Sequence, residues 1–185
     1  MRRTLDFNAL APSFKLVDIF GREINLENYK GKKVFIAFFR HSGCPFCNSR
    51  LQVLKETQPY LKSRGLEMIF FFESSKEHLL KSKFHASMDA IPIISDTDQK
   101  WYEEYGVQTS LKKTLKSILT SSLKTVFYAL RKNIPFYPAK GSENFSRIPA
   151  EFLIDEQGFV KKAHYSNSLT GRMPMKAIVS FATRN

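Results

Sequence analysis

Cysteine is scarce in this sequence, with two residues among 185. A small secreted domain stapled by disulfides is therefore excluded, because such domains need several cysteine pairs. Long apolar runs are also missing: the longest, residues 34–39 and 68–72, are far shorter than the roughly 20 residues that span a bilayer. Two arginines near the N-terminus are followed by no continuous apolar segment, which disfavours a secretory signal. We therefore expect a protein of the reducing cytoplasm.

Acidic residues are absent from one long segment. The whole chain has 29 Lys and Arg against 17 Asp and Glu, a net charge of +12. Between Glu104 and Glu143 there are seven basic residues and no acidic one. The same segment places apolar residues at helical spacing from Leu111 to Leu130, which predicts a basic amphipathic helix. We interpret residues 109–146 as a helical insertion within a single domain of residues 1–185.

The basic insertion admits several functional interpretations. The one we favour packs its apolar stripe against the domain and leaves its lysines solvated. An acidic partner protein bound at the basic helix is an alternative, and a membrane surface is a further one that we favour less. Nucleic-acid binding is disfavoured, because no recognised base-reading motif accompanies the charge.

Strand and helix patterns alternate along the chain and predict an α/β fold. An N-terminal β-hairpin is predicted over residues 14–26, and residues 34–39 form a strand that is apolar on both faces, as at the centre of a covered sheet. Pro59 is expected to kink or end the helix that follows. After the insertion come a hairpin over residues 151–165 and a final helix over residues 175–181. The prediction is a central mixed sheet flanked by helices, with an antiparallel edge.

The two cysteines form a Cys-Pro-Phe-Cys motif where the buried strand gives way to a helix. A helix N-terminus stabilises a thiolate, and the thiolate is the form that attacks disulfides and peroxides. Cys44 is therefore predicted to be the exposed nucleophile. Cys47, one turn into the helix, is predicted to be the more buried resolving thiol, which attacks a mixed disulfide at Cys44. Arg40 and His41 are candidates to add positive potential, although the sequence does not fix their directions.

Two other interpretations of the motif stay open. His41, Cys44 and Cys47 have the spacing of three zinc or iron ligands, but a fourth ligand would have to come from a distant part of the chain. The cysteines are alternatively ordinary small residues at a turn. We prefer the redox interpretation, because a strand, turn and helix are the context that this chemistry requires. No metal and no cofactor is expected.

Pro149 precedes the strand predicted over residues 151–155. An X-Pro bond has only a small trans preference, so a tight turn can hold it cis. Such a turn beside the cysteines would expose the backbone of Ile148, which could then pair with an extended substrate. An ordinary proline at the entry of a strand is equally compatible with the spacing.

Together these segments resemble the thioredoxin-fold superfamily, and more narrowly its peroxiredoxin-like members of the alkyl hydroperoxide reductase/thiol-specific antioxidant group. The segments that carry the resemblance are Tyr29-Lys-Gly-Lys-Lys-Val34, Gly43-Cys-Pro-Phe-Cys47, Ile91-Pro-Ile-Ile-Ser-Asp96 with Tyr105-Gly-Val107, and Pro149-Ala-Glu-Phe-Leu-Ile-Asp155. The resemblance implies a thioredoxin-like fold in which Cys44 attacks, Cys47 resolves and Pro149 is a cis-proline. The residues expected to position a substrate are Pro149, Ile148, Pro45, Phe46, Arg40 and His41.

The sequence departs from peroxiredoxins at the peroxidatic loop. That loop reads P-x-x-x-[T/S]-x-x-C in the family, and the hydroxyl orients the peroxide, whereas Ala37 and His41 stand at the two positions here. The family's peroxide-polarising arginine has no secure counterpart, with Arg40 and Arg147 as the candidates. We therefore predict a thiol–disulfide oxidoreductase with an antioxidant role.

Its predicted partners are a dithiol reductant, either a thioredoxin- or glutaredoxin-like protein or glutathione, and a disulfide or hydroperoxide substrate. A thiol-dependent peroxidase is the alternative function. A thioredoxin-fold binding module that docks through the basic helix, with incidental thiols, is an alternative of another class.

Overall fold

The structure is a computed structural model that describes residues 4–117, 119, 138 and 143–184. The rest of the predicted insertion helix therefore lies outside the described residues. The elements in chain order are β1 (Lys15–Val17), β2 (Glu23–Asn25), a 3-10 turn (Leu26–Tyr29), β3 (Lys33–Phe38), α1 (Pro45–Ser63), β4 (Leu66–Phe72), α2 (Lys76–Lys81), α3 (Lys83–Ala86), β5 (Ile93–Ser95), α4 (Lys100–Glu104), β6 (Ala150–Ile154), β7 (Val160–Tyr165) and α5 (Met175–Thr183).

The described strands form one mixed sheet and one small hairpin. The five-stranded sheet has the order β5-β4-β3-β6-β7. Strands β3, β4 and β5 run parallel to one another, β6 is antiparallel to β3, and β7 is antiparallel to β6. The hairpin of β1 and β2 is antiparallel, as predicted. The predicted hairpin after the insertion and the final helix are confirmed as β6–β7 and α5.

Residues of the central strand β3 alternate between two apolar cores. Phe35 and Ala37 face a core that contains the buried residues of α1, α2 and α5. Ile36 and Phe38 face a second core that contains the N-terminal hairpin and α4. Both faces of the sheet are therefore covered, which explains why β3 is apolar throughout.

Residues 39–44 connect the carboxyl end of β3 to helix α1, which leads back to the parallel strand β4. The prediction that Pro59 kinks or ends this helix early is wrong, because α1 continues to Ser63. Pro59 is exposed, whereas Leu54 and Leu61 on either side are completely buried. Apolar packing on both sides thus outweighs the hydrogen bond that the proline cannot donate.

The described start of the insertion is helical over residues 111–117 and at 119. Its leucines point outward: Leu111 and Leu115 are each 62% exposed and Leu119 is 89% exposed. Thr114 and Ser117 lie on the buried side. The favoured interpretation, in which the apolar stripe packs on the domain, is therefore wrong for these turns. In the described part of the chain, no helix combines the length and the apolar character that crossing a bilayer requires.

Candidate functional site

The two cysteines lie at the N-terminus of α1, where the sequence analysis placed them. Cys44 is the N-cap residue with extended backbone, its carbonyl accepts from the Asn48 N–H at 3.0 Å, and Pro45 occupies the first turn. A proline is well suited to that turn, because the N–H it lacks would have no helical partner there. Both cysteines are free thiols. The helix start therefore directs its positive end at Cys44.

Burial of Cys44 is a correction to the sequence prediction. Cys44 was expected to be exposed, yet both Cys44 and Cys47 are 0% exposed. Arg40 lies over Cys44 and is itself only 3% exposed. The segment that precedes β6 covers Arg40 in turn, because the Phe145 carbonyl accepts from Arg40 Nη2 at 2.6 Å. A contact between Arg40 and a residue about a hundred positions further along the chain thus closes the site.

Cys44 is the more acidic thiol of the pair. Burial opposes its ionisation, but the hydrogen bond from Cys47 and the positive charge of Arg40 outweigh burial and lower the pKa of Cys44 to about 6. Arg40 Nη1 lies 3.4 Å from the Cys44 sulfur. Most Cys44 side chains are thiolates at neutral pH, and the thiolate is the nucleophilic form.

Cys47 keeps its proton. Burial, followed by the hydrogen bond and the negative charge of Cys44, raises the pKa of Cys47 well above its ordinary value. The Arg40 backbone N–H donates to the Cys47 sulfur at 3.4 Å. The two sulfurs are hydrogen-bonded neighbours whose pKa values shift in opposite directions.

Arg172 is a site residue that the sequence analysis missed. Its Nη2 lies 3.9 Å from the Cys47 sulfur and 3.4 Å from the Phe46 carbonyl. Its Nη1 donates to the Gly171 carbonyl at 2.7 Å, and its Nε lies 3.9 Å from a Glu151 carboxylate oxygen. Two arginines, Arg40 and Arg172, therefore lie beside the thiol pair.

Glu151 anchors this side of the site. It accepts two hydrogen bonds from Arg50, at 2.9 and 3.0 Å, and one from the Met173 N–H at 2.7 Å, all in the interior. A buried carboxylate needs such partners, since an unpaired charge is costly to bury. The sequence signal for this arrangement was the acid at the second position of an otherwise apolar strand, Ala150–Ile154.

A network of polar side chains fixes the loop before Cys44. Ser74 Oγ accepts from the Ser42 N–H at 2.8 Å, and Asn48 Nδ2 donates to the Ser42 carbonyl at 2.7 Å. His85 is fully buried and contacts Asn48 Oδ1 through Nε2 at 3.1 Å. Burial lowers the pKa of His85 to about 4, so it is neutral here at pH 7. These contacts hold the loop in place, and His85 adds no charge to it at pH 7.

His41 does not supply the positive potential that was considered for it. Its side chain is 5% exposed, and burial together with the charge of Arg40 lowers its pKa to about 4. The imidazole is therefore neutral at pH 7. In the part of the chain that the structure describes, no three His, Cys, Asp or Glu side chains form a group that could hold a metal ion. The arrangement thus gives no support to a metal centre of His41, Cys44 and Cys47.

The prediction of a cis bond at Pro149 is wrong, since no described peptide bond is cis. The chain before β6 is instead extended, with Arg147 bridged to Thr109 and the Ile148 N–H donating to the Gln108 carbonyl at 3.0 Å. Pairing with residues 107–110 accounts for the trans geometry, because a cis bond would turn the chain away from that neighbour. The Ile148 N–H is already paired, and both Ile148 and Pro149 are buried.

Of the two candidates for a peroxide-polarising arginine, only Arg40 reaches the thiols. Arg147 Nε donates to Glu73 at 2.5 Å, its Nη1 donates to the Val107 carbonyl at 2.9 Å, and its guanidinium lies 4.8 Å from the centre of the Tyr102 ring. These contacts occupy Arg147 as a structural cation. The spacer residues also differ: Pro45 is buried, whereas Phe46 is half-buried.

Comparisons with solved structures show the fold. A thiol:disulfide interchange protein DsbE from Chlorobium tepidum superimposes with a TM-score of 0.63 at 18% identity, over 98% of this chain and 100% of that one. Peroxidoxin BcpB from Mycobacterium tuberculosis gives a TM-score of 0.63 at 15% identity, over 97% and 94% of the two chains. The fold is thioredoxin-like, as predicted.

Sequence relatives cover less of the chain. Thiol-disulfide oxidoreductase ResA of Bacillus thuringiensis (strain Al Hakam) is 30% identical over 97 residues, 52% of this chain and 56% of the relative. Peroxiredoxin Bcp of Escherichia coli (strain K12) is 27% identical over 99 residues, 53% and 62% of the two chains. The chain thus spans a little over half the length of these relatives. The family model described as AhpC/TSA family matches residues 8–163, so the chain belongs to the AhpC/TSA family.

Proposed function

We propose that the protein is a thiol–disulfide oxidoreductase in which Cys44 attacks and Cys47 resolves. The observation that carries the proposal is the contact of Arg40 with the Cys44 sulfur at 3.4 Å, together with the opposite pKa shifts of the two thiols. Family membership and the redox activities in the names of the relatives support it. We place this activity, with an antioxidant role, in a reducing cytoplasm.

The proposed reaction transfers two electrons from the dithiol to a substrate disulfide. The Cys44 thiolate attacks one substrate sulfur, and the other substrate sulfur leaves as a thiolate. Cys47 then loses its proton to the solvent or to the departing thiolate and attacks the Cys44 sulfur of the mixed disulfide. The substrate sulfur that Cys44 attacked then leaves as the second thiolate, and the Cys44–Cys47 disulfide remains. A thioredoxin- or glutaredoxin-like dithiol, or two molecules of glutathione, returns the electrons.

The cover over Cys44 limits what can react. A bulky disulfide reaches the sulfur only after the Phe145 carbonyl leaves Arg40 Nη2, where it now accepts a hydrogen bond of 2.6 Å. Phe145 is 49% exposed and its ring lies 5.6 Å from the Arg40 guanidinium, so its release exposes little new apolar surface.

Peroxide reduction is the second candidate, and the burial of Cys44 favours it. A hydroperoxide is small enough to reach a covered thiolate more easily than a protein disulfide. The Cys44 thiolate would attack the terminal peroxide oxygen, giving a sulfenic acid and an alcohol or water, and Cys47 would then form the disulfide with loss of water. Against it, Ala37 and the neutral His41 offer no hydroxyl at the peroxidatic loop.

Rapid mixing followed by acid quench and mass spectrometry tests both candidates. The reduced protein is mixed with glutathione disulfide or with hydrogen peroxide, and the Cys44–Cys47 disulfide is counted over time. The proposal expects faster reaction with the disulfide than free cysteine shows, a trapped glutathione adduct in Cys47→Ser, and no reaction in Cys44→Ser. Reaction with peroxide alone would favour the peroxidase. Rates equal to those of free cysteine with both oxidants would leave only the binding module.

A further inference from the structure

The first turns of the insertion helix present an apolar ridge to the solvent. Leu111, Leu115 and Leu119 recur every four residues, so they lie on one side of the helix over about 12 Å. All three are well exposed within the folded chain. A surface helix of a soluble domain ordinarily turns such residues inward. The described turns of this helix therefore expose their leucines, where a surface helix ordinarily buries them.

Polar contacts on the opposite side fix the rotation of this helix. Ser110 accepts from the Lys113 N–H at 3.3 Å, and the Ser110 N–H donates to the Ser146 carbonyl at 2.7 Å. Ser117 Oγ donates to the Lys113 carbonyl at 2.6 Å and accepts from the Leu169 N–H at 2.9 Å. Turning the leucines inward would break the contact with Leu169 and bring the buried Ser117 to the surface. The outward direction is thus built into the fold.

Positive charge flanks the ridge. Lys112 and Lys116 are exposed beside the leucines, and Lys113 is half-buried. No acidic residue occurs between Glu104 and Glu143, so this segment is basic throughout. Apolar side chains bordered by lysines are the pattern of helices that lie in the interface of an anionic bilayer. Lysine stems reach past the apolar zone and keep the ammonium groups at the headgroups.

We propose that this face, defined by Leu111, Leu115, Leu119 and the flanking Lys112 and Lys116, docks the protein on an anionic lipid surface. A second copy of the chain is a poorer occupant, since pairing the face with itself would bring lysines against lysines. An acidic protein would complement the lysines but would need a groove for a convex ridge of leucines. A bilayer interface satisfies both features at once, because it takes up leucines and presents phosphates beside them.

Docking would also position the redox site. Ser117 holds the Leu169 N–H, and the same loop carries Arg172, whose guanidinium contacts Cys47. The lipid-facing helix is therefore tied through one loop to the resolving thiol. The proposal does not depend on the redox chemistry, because it rests on the exposure and charge of the helix alone.

Vesicle flotation of the full chain tests the proposal. Phosphatidylcholine vesicles with and without phosphatidylglycerol are compared at low and high salt. We expect flotation with the anionic vesicles that weakens as salt rises. The variant L111S/L115S/L119S should lose binding by at least ~10-fold, and K112Q/K116Q should lose the preference for anionic lipid. The variant L10S/L80S is the control, because it removes two exposed leucines elsewhere.

Circular dichroism and Cys44 reactivity establish that each variant is folded before binding is compared. No flotation of the wild type, or equal flotation of the triple leucine variant, would overturn the proposal. Binding of the wild type to a soluble acidic polymer would also overturn it if K112Q/K116Q abolished that binding and L111S/L115S/L119S did not. That result would favour an acidic protein partner. A dimer of the wild type that the leucine variant converts to a monomer would show instead that a second copy covers the ridge.

Discussion

Arg40 connects Cys44 to the far segment that closes the site. One guanidinium nitrogen lies 3.4 Å from the Cys44 sulfur, and another donates to the Phe145 carbonyl at 2.6 Å. The same side chain therefore stabilises the thiolate and holds its cover. A charge-assisted hydrogen bond in an interior of low dielectric is stronger than one in water, so this contact weighs heavily in the acidity of Cys44.

Replacing Arg40 by Met is expected to raise the pKa of Cys44 from about 6 toward that of free cysteine. The fraction of protein with a Cys44 thiolate at neutral pH, measured by absorbance near 240 nm, should fall from a majority to a minority. The rate of attack on glutathione disulfide should also fall, but by less than the thiolate fraction, because a more basic thiolate is a stronger nucleophile. Arg40→Lys is the matched variant, because it keeps the charge and loses the fork of donors. An unchanged titration in Arg40→Met would mean that the helix start and Cys47 alone set the acidity.

The pair Cys47→Ser and Cys47→Ala separates two roles of the resolving residue. Serine can still donate a hydrogen bond to the Cys44 thiolate, whereas alanine cannot. Since that hydrogen bond lowers the pKa of Cys44, the pKa should be higher in the alanine variant than in the serine variant. Both variants should stop at the mixed disulfide, which mass spectrometry detects. Equal thiolate titration curves for the two variants would show that the Cys47 hydrogen bond has no effect.

Local patterns predicted much of this molecule, and contacts between distant segments account for what they missed. The order of strands and helices and the helix start at Cys44 follow from residues close in sequence. The burial of Cys44 does not, because Arg40, which contacts its sulfur, is itself held by the Phe145 carbonyl about a hundred residues further along the chain. Arg172 was missed for the same reason. Glu151 of β6 lies beside Arg172. In the sequence, Glu151 stood out only as an acidic residue in an otherwise apolar strand.

The prolines and the insertion show the limits of single-residue rules. Pro59 stays within α1 because buried leucines hold the helix on both sides. Pro149 is trans because the chain before it pairs with residues 107–110. Over residues 111–117 and 119 the periodic leucines of the insertion predicted a helix correctly but the buried side wrongly, since Ser117 contacts the domain there. Periodicity shows that a helix has two faces, and tertiary contacts decide which face is covered.

Arg172 is expected to stabilise the thiolate that Cys47 becomes during the reaction. Replacing it by Gln removes a positive charge 3.9 Å from that sulfur, so reduction of the Cys44–Cys47 disulfide should become less favourable. We expect the equilibrium constant with a glutathione couple to shift by about 3- to 10-fold, and ~30 mV corresponds to a factor of 10. First attack by Cys44 should change less than resolution by Cys47. Arg172→Lys should restore most of the potential, whereas a purely structural role would predict equal losses in both variants.

Removing one partner of the buried ion pair of Arg147 and Glu73 is expected to destabilise the protein strongly. Both side chains are buried, and burial raises the pKa of Glu73 even with Arg147 present. Arg147→Met would leave the carboxylate unpaired and should lower the free energy of unfolding by about 3–5 kcal/mol. The loss should shrink at acidic pH, where Glu73 takes up a proton. Urea unfolding measures it.

The double variant of that pair provides the control. Glu73→Gln with Arg147→Met removes both charges, so it should be less destabilised than Arg147→Met alone. The exposed pair of Lys30 and Glu27 supplies a surface comparison, and Lys30→Met should leave the unfolding free energy almost unchanged. A double variant as unstable as the single one would mean that Arg147 acts through packing on Tyr102 rather than through charge.

The low pKa of Cys44 makes the stability of the reduced protein depend on pH. The folded pKa of about 6 lies below the ~8.5 of an unfolded cysteine, so ionisation favours the folded state. This contribution is complete above the unfolded pKa and is lost as pH falls through the folded one. Denaturation of reduced wild type and Cys44→Ser should therefore give a difference that grows from about pH 6 to pH 8.5, by at most ~1.4 kcal/mol per pH unit. A difference independent of pH would mean that Cys44 is a neutral thiol in the folded protein.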